Sequence, residues 1–353
     1  MRRVAHVQKE MRRFPKNVYS QPMRAWRRIW ALACTAALLS GCAAAATHAQ
    51  AGGNPLTGQA FYVDPANVAA REAAALRASG HTSEAEAIQR IAAQPTATWL
   101  TNGPEPRATV ESVTERASAA GRSALLVAYY IPGRDCGGFS SGGAPSASAY
   151  RQWIAGLAAG IGERTATVIV EPDAVLQAID GCLSPTARRQ RLALLAGAVS
   201  VLRRRPHVTA YLDAGNVGWL SHPRVVAGAL RSAGVGKASG FALNVANFYT
   251  TAATVAAGER LANLLGGAHF VIDTGRNGNG PLIGAEGTAQ WCNPVGRALG
   301  PAPTTATGHA RVDAYLWVKQ PGTSDGRCRA GAPAAGVWWP SYALELAQGA
   351  PAG

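Results

Sequence analysis

The sequence predicts an α/β fold: a seven-stranded parallel β/α barrel, TIM-like and closed or nearly closed, in a single domain. Three observations predict it. Short apolar runs rich in Val, Ile, Leu and aromatic residues recur seven times, Ala/Leu/Arg stretches at helical spacing lie between them, and no Pro/Thr/Ser linker divides the chain. Near-continuous apolar strands need cover on both faces, which a parallel sheet with crossover helices supplies. Seven such units over about 250 residues suit one closed or nearly closed barrel better than two domains.

In chain order, the strands are expected at Ala97–Thr101, Leu125–Tyr130, Thr167–Val170, Val208–Leu212, Gly240–Val245, His269–Ile272 and Asp313–Val318. Helix candidates between them include Ala108–Ala120, Ala147–Ile161, Pro185–Arg203 and Pro223–Ser232. Ser146 and Ser184 precede two of these. A serine hydroxyl there accepts an unpaired N–H of the first turn, and Pro185 sits where its missing N–H costs nothing.

Composition narrows the class. The chain has 353 residues, 48% hydrophobic and 15% charged, with mean hydropathy near zero. A disordered chain, a collagen-like chain and a polytopic membrane protein are excluded. The net charge of +14 suggests nucleic acid, but residues 1–51 hold nine Arg/Lys against one Glu, leaving +6 on the rest. So small an excess, spread over the remaining chain, is no nucleic-acid footprint.

Residues 1–51 read as an export leader. Met23-Arg-Ala-Trp-Arg-Arg is a short basic segment, and Ile29 to Leu39 an apolar one too short to span a bilayer, so no transmembrane domain is expected. Leu39-Ser40-Gly41-Cys42 has the form of a lipobox, and Ala49-Gln50-Ala51 that of an ordinary cleavage site. Both exits, and both starts (Met1 or Met23), stay open. Residues 52–353 form the expected catalytic domain. Beyond the leader remain Cys136, Cys182, Cys292 and Cys328, an even number that reads as two disulfides with three possible pairings. Scattered His and the lack of CxxC spacing argue against a metal site.

The strand ends carry the chemistry. Strand two runs into Gly133-Arg134-Asp135-Cys136 and strand three into Glu171-Pro172-Asp173. Strand four ends at Asp213, strand five near Asn247, strand six at Asp273, and the last strand leads through Lys319 to Asp325. In a β/α barrel these points share one rim, where such folds do chemistry. Any one acid could cap the helix that follows it. Acids from five strand ends at one mouth instead suggest glycoside hydrolysis, which needs one protonated carboxyl to assist the leaving oxygen and a second carboxylate to activate water or attack. Trp99, Trp219, Trp291 and Tyr129, in or just beyond strand ends, could stack on sugar faces, whereas Trp153, on a helix, reads as core.

From about Asn54 to Ala347 the chain resembles glycoside hydrolase family 6, the inverting β-1,4-glucanases. The resemblance is carried by Tyr129 with Pro132-Gly-Arg-Asp-Cys-Gly137, Ser140-Ser-Gly-Gly-Ala-Pro145, Val170-Glu-Pro-Asp173 and Tyr211-Leu-Asp-Ala-Gly215. Ile272-Asp-Thr-Gly-Arg-Asn-Gly-Asn-Gly280, Trp291-Cys-Asn-Pro294, Leu316-Trp-Val-Lys319, Pro321-Gly322 and Asp325-Gly326 continue it in the family's order. It implies a distorted seven-stranded barrel, the disulfides Cys136–Cys182 and Cys292–Cys328, and a β-1,4-glucan substrate; with the leader and the lack of a metal pattern, the expectation is a monomer without cofactor or metal, exported or lipid-anchored. Asp173 matches the general acid, Asp135 the aspartate that raises its pKa, and Asp325 the proposed base. Tyr129 matches a residue distorting the sugar, Ser141 a holder of the water, Arg134 an electrostatic neighbour and Asp213 a supporting aspartate. Lys319, Trp99, Trp219 and Trp291 match substrate-binding positions, with Asn247 placed among them.

Three departures concern sugar preference. Thr323 stands where many members have Glu, Asn216 where a His is common, and Arg327 adds a residue before Cys328. Short loops after Cys136 and Asp325 favour an open cleft and internal cleavage. The alternatives are a non-catalytic β-glucan-binding protein on the same fold and an exo-acting cellobiohydrolase. Gly138-Phe-Ser-Ser-Gly142 also fits the serine-hydrolase elbow G-x-S-x-G, but no helix signal follows the serine directly.

Overall fold

The computed structural model describes residues 53–349 apart from 102 and 104. The leader, with its lipobox and cleavage site, lies outside the described residues. Helices α1 (Val68–Ala78) and α2 (Thr82–Ala92) precede seven strands: β1 (Thr98–Leu100), β2 (Ala124–Ala128), β3 (Ala166–Val170), β4 (Val208–Asp213), β5 (Gly240–Leu243), β6 (Phe270–Asp273) and β7 (Val312–Leu316). Between strands run α3 (Arg107–Ala119), α4 (Ala147–Ile161), the short α5 (Ala174–Gln177) with α6 (Pro185–Leu202), α7 (Pro223–Ser232) and α8 (Thr251–Leu264), and α9 (Pro340–Gly349) comes last. Ser146 and Ser184 cap α4 and α6 as expected, accepting from Ala149 N and Ala187 N.

All neighbouring strands pair in parallel, in the order β1 to β7. Among the described residues the outer strands meet through one Thr96–Trp317 bridge, and Trp99 Nε1 donates across that seam to Val318 O at 2.8 Å. The seam between β1 and β7 thus lacks the ladder that joins the other strands, which is the distortion of the barrel. Side chains alternate by strand period. Leu126, Ala128, Val168, Val170, Ala210 and Leu212 face the helices, whereas Leu125, Val127, Ile169, Tyr211, Val271 and Ala314 fill the barrel. A third apolar cluster joins α1, α2 and α9 to Trp317.

Several strands stop before the expected residue, for two reasons. Leu125–Tyr130 ends as β2 at Ala128, because Tyr130 N and Ile131 N donate to the Glu171 carboxylate at 3.0 Å. The last strand ends at Leu316, and Val318 N and Lys319 N donate to Asp273. Strand five ends at Leu243, since Asn244 and Ala246 have positive φ. Rim carboxylates and left-handed turns replace the ladder. The helices α1, α2, α5, α8 and α9 were not among the named candidates.

Candidate active site

The phase of each strand decides what caps the barrel. The inward set of β2 continues to Tyr129, and β4 and β6 end on Asp213 and Asp273, two residues past inward Tyr211 and Val271, whereas Glu171 follows β3 with φ +50 and lies against Tyr150 of α4. None of these acids caps a helix with its side chain. Glu171 accepts from Tyr130 N and Ile131 N. Asp213 Oδ2 accepts from Asp173 N at 2.8 Å and Gly215 N at 3.1 Å. Asp273 takes the N–H groups of Ala246, Gly275, Val318 and Lys319. Each carboxylate thus laces its strand end to a neighbouring exit loop. The seven non-glycine residues of positive φ among the described residues, Asp135, Cys136, Glu171, Asp173, Asn244, Ala246 and Asn293, all lie in these exit segments. Strain concentrated in this way marks functional segments, held by the hydrogen bonds around them.

On one side of the mouth, Arg134 is buried and staples its loop: its guanidinium donates to Ser140 O, Thr101 O, Tyr129 O and Ser141 O, and lies 4.6 Å above the Tyr129 ring. Asp135 Oδ2 accepts from Ser140 N at 2.6 Å, and the exposed Ser141 closes the turn. Burial raises the Asp135 pKa, opposed by that N–H and by Arg134. Asp173 sits at the head of α5 with φ +69 and makes no side-chain hydrogen bond among the described residues. Its pKa is pushed well up, first by burial, then by Asp213, then by Asp135. Asp213 itself is raised to about 7, with burial leading. Asp135 was expected to be the charge acting on Asp173; burial and Asp213 come before it.

Across the mouth the balance is reversed. Asp325 Oδ2 accepts from Arg276 Nη1 at 2.8 Å and Asn293 N at 3.0 Å, and Lys319 Nζ stands 3.6 Å from Oδ1. Burial would raise Asp325, but Arg276 and Lys319 outweigh it and hold the carboxyl below its ordinary range. Lys319 also donates to Ser324 O at 3.1 Å and lies 5.7 Å above Trp99. Thr323 turns its hydroxyl onto Gln320 O, so it presents no charge to Lys319.

A cavity of about 580 Å³ follows the seam, lined by Trp99, Tyr129, Arg134, Ser141, Lys319 and Thr323 among others. Trp99 meets Tyr129 edge-on at 5.3 Å. Trp219 is 40% exposed and lies over Gly215, where a Cβ would come within 2.7 Å of the indole. Trp291 is exposed and Trp153 buried, both as expected. Asn247 lies half-buried beyond β5, its Oδ1 accepting from Phe248 N. The cysteines pair Cys136–Cys182 and Cys292–Cys328. Residues 138–142 form a loop that returns as an antiparallel bridge between Arg134 and Gly142, not a strand–serine–helix elbow.

Asp135, Asp173 and Asp213 therefore cluster with Tyr129 and Arg134, and Asp325 with Lys319. Three participants carried no sequence signal of their role: Glu171, Arg276 and Asn293. Arg276 needed the fold, since it reaches Asp325 across 49 residues of chain.

A family model for glycosyl hydrolases family 6 matches residues 56–350. Endoglucanase A of Cellulomonas fimi is 43% identical over 293 residues, covering 82% of this chain and 61% of that protein; the chain thus spans under two thirds of that relative. Endoglucanase A of Thermobispora bispora is 40% identical over 330 residues, covering 92% and 70%. The endoglucanase Cel6 of Mycobacterium tuberculosis, solved in complex with methyl-cellobiosyl-4-deoxy-4-thio-β-D-cellobioside, superposes with TM-score 0.78 at 46% identity, covering 84% of this chain and 99% of that one.

Proposed function

The chain belongs to glycosyl hydrolases family 6, and from that footing we propose that it is an exported endo-β-1,4-glucanase, cutting internal bonds of cellulose or a related β-glucan with inversion. One observation carries the chemistry. Of the rim carboxyls, Asp173 alone is neither ion-paired nor engaged as an acceptor among the described residues, and its pKa is raised, whereas Asp325 across the mouth is held ionised by two cations. Two carboxyls pushed in opposite directions are what an acid and its anionic counterpart require.

In this reading Asp173 protonates the departing glycosidic oxygen. Its burial, then Asp213 and Asp135, keep it protonated, and Asp213 also fixes its backbone. Ser141 positions the water and Asp325 receives its proton, directly or through water. Tyr129 presses on the sugar at the cleavage point, with Arg134 behind it. Trp99, Lys319, Trp219, Trp291 and Asn247 hold flanking sugars. We take the enzyme to act as a monomer. Internal cleavage is supported by the endoglucanase names of the relatives and by the short loops after Cys136 and Asp325. Export is supported by the leader and the two disulfides, which suit an oxidising compartment. The catalytic domain is taken as residues 52–353.

The test uses carboxymethylcellulose and a soluble β-glucan. Viscosity should fall early while reducing ends appear, and proton NMR should show the α-anomer first. Reducing ends without the early viscosity loss mean an exo-acting enzyme, binding without hydrolysis a glucan-binding protein, and β-anomer first a retaining route that removes Asp325 from its role.

A further inference from the structure

One rim aromatic has no part in the reading above. Phe139 stands in the 134–142 loop, 45% exposed, its ring centroid 6.1 Å from that of Trp291, which is 37% exposed, with the planes inclined at 59°. Large rings are ordinarily covered, and an exposed aromatic pair at a cleft mouth marks a place where binding removes apolar surface from water.

Both rings are held firmly. Phe139 follows Cys136 by three residues, and Cys136 is bonded to Cys182. Trp291 adjoins Cys292, bonded to Cys328. Under Phe139 lies Gly326, with φ +141, where a Cβ would stand 2.6 Å from the Phe139 Cβ and Cγ. The phenyl ring therefore rests on bare backbone next to Asp325, while its own loop carries Asp135 and Ser141. It spans from the acid side of the mouth to the base side and contributes to the wall of the seam cavity.

We infer that Phe139 is a specificity-determining residue: with Trp291 it forms a two-faceted platform on which consecutive glucan rings pack their apolar C–H faces. The inference rests on the glucanase reading. Pyranose rings carry hydroxyls at the edge and C–H groups on the faces, so an aromatic face removes their apolar surface from water without taking a hydroxyl from its partners. A ring that only held its loop against Gly326 would affect turnover; a platform affects the hold on substrate.

Asp173→Asn serves as a binding-competent background for calorimetric titration with cellohexaose. Phe139→Ala in that background should weaken binding about tenfold, with Phe139→Tyr restoring it to within about twofold. In the active enzyme, Phe139→Ala should raise KM about tenfold and change kcat less than about threefold. Thermal melts of each variant separate these effects from loss of fold. Binding by Asp173→Asn that Phe139→Ala leaves unchanged, or a fall in kcat with KM intact, overturns the platform alone. Failure of Asp173→Asn to bind at all overturns the glucanase reading and the platform with it.

Discussion

The backbone N–H of Asp173 donates to Asp213 Oδ2 at 2.8 Å, while Asp213 Oδ1 is buried without a partner among the described residues. The same carboxylate thus fixes a left-handed residue and sets its charge against the Asp173 carboxyl. An amide can keep the first function and lose the second. Asp213→Asn should therefore retain the fold and move the alkaline limb of the pH–rate profile to lower pH. The sign follows from the like charge: removing it makes Asp173 easier to ionise, so the protonated acid is lost sooner as pH rises. Asp135→Ala should move the limb the same way, but less. An unmoved limb in both variants would leave burial as the sole cause.

Glu171 links the rim to stability. It is buried, and its pKa is raised to about 7, with burial the leading cause and the N–H groups of Tyr130 and Ile131 opposing it. Its folded value lies above the unfolded one near 4.5. Its contribution to stability is thus complete below about pH 4.5 and lost as pH rises through about 7, roughly 3 kcal/mol in all. Urea unfolding between pH 4.5 and 8 should show that decline, and Glu171→Gln should flatten it. An equal slope in wild type and variant would show that Glu171 titrates alike in both states.

Much of this fold is legible because it rests on period. All seven strands and their parallel order follow from apolar runs alternating with helical spacing, and the inward phase ending on Tyr129 and Asp213 follows from a period of two. What the sequence conceals is where a strand stops. Tyr130, Val318 and Lys319 read as strand continuations or nearly so, yet their N–H groups turn to carboxylates from other strands. That depends on contacts between residues 41 to 46 positions apart, which no local window contains. The ion pair of Arg276 with Asp325 and the seat of Phe139 on Gly326 were hidden for the same reason.

The Cys292–Cys328 disulfide flanks the residues that hold Asp325. Asn293, next to Cys292, gives its N–H to Asp325 Oδ2 and accepts Asp325 N at 2.8 Å. Replacing both cysteines by Ala should cost about 4 kcal/mol of unfolding free energy, from the 36-residue loop, and should raise KM through the freed Trp291. A loss under about 1 kcal/mol would mean the loop is already ordered without the bond.

Whether Asp325 takes the proton is read from its ionisation. A base is most effective with a pKa near the working pH, and Asp325 is held below its ordinary range by Arg276 and Lys319 against its burial. In the wild type it stays ionised down to acid pH, so no acid limb near neutrality should belong to it. Lys319→Met removes one of the two cations. The Asp325 pKa then rises, the carboxylate is protonated at higher pH, and the acid limb of kcat, measured at saturating β-glucan, should move upward. Lys319 also faces the sugar, so KM rises as well, which is why kcat is the quantity to follow. Arg276→Lys keeps the charge near Asp325 and should move the limb less. Should Lys319→Met retain measurable kcat with its acid limb unmoved, the ionisation of Asp325 does not limit turnover, and the proton leaves through water to another acceptor. Asp325 would then act as a fixed negative charge facing the positive charge that develops on the sugar in the transition state.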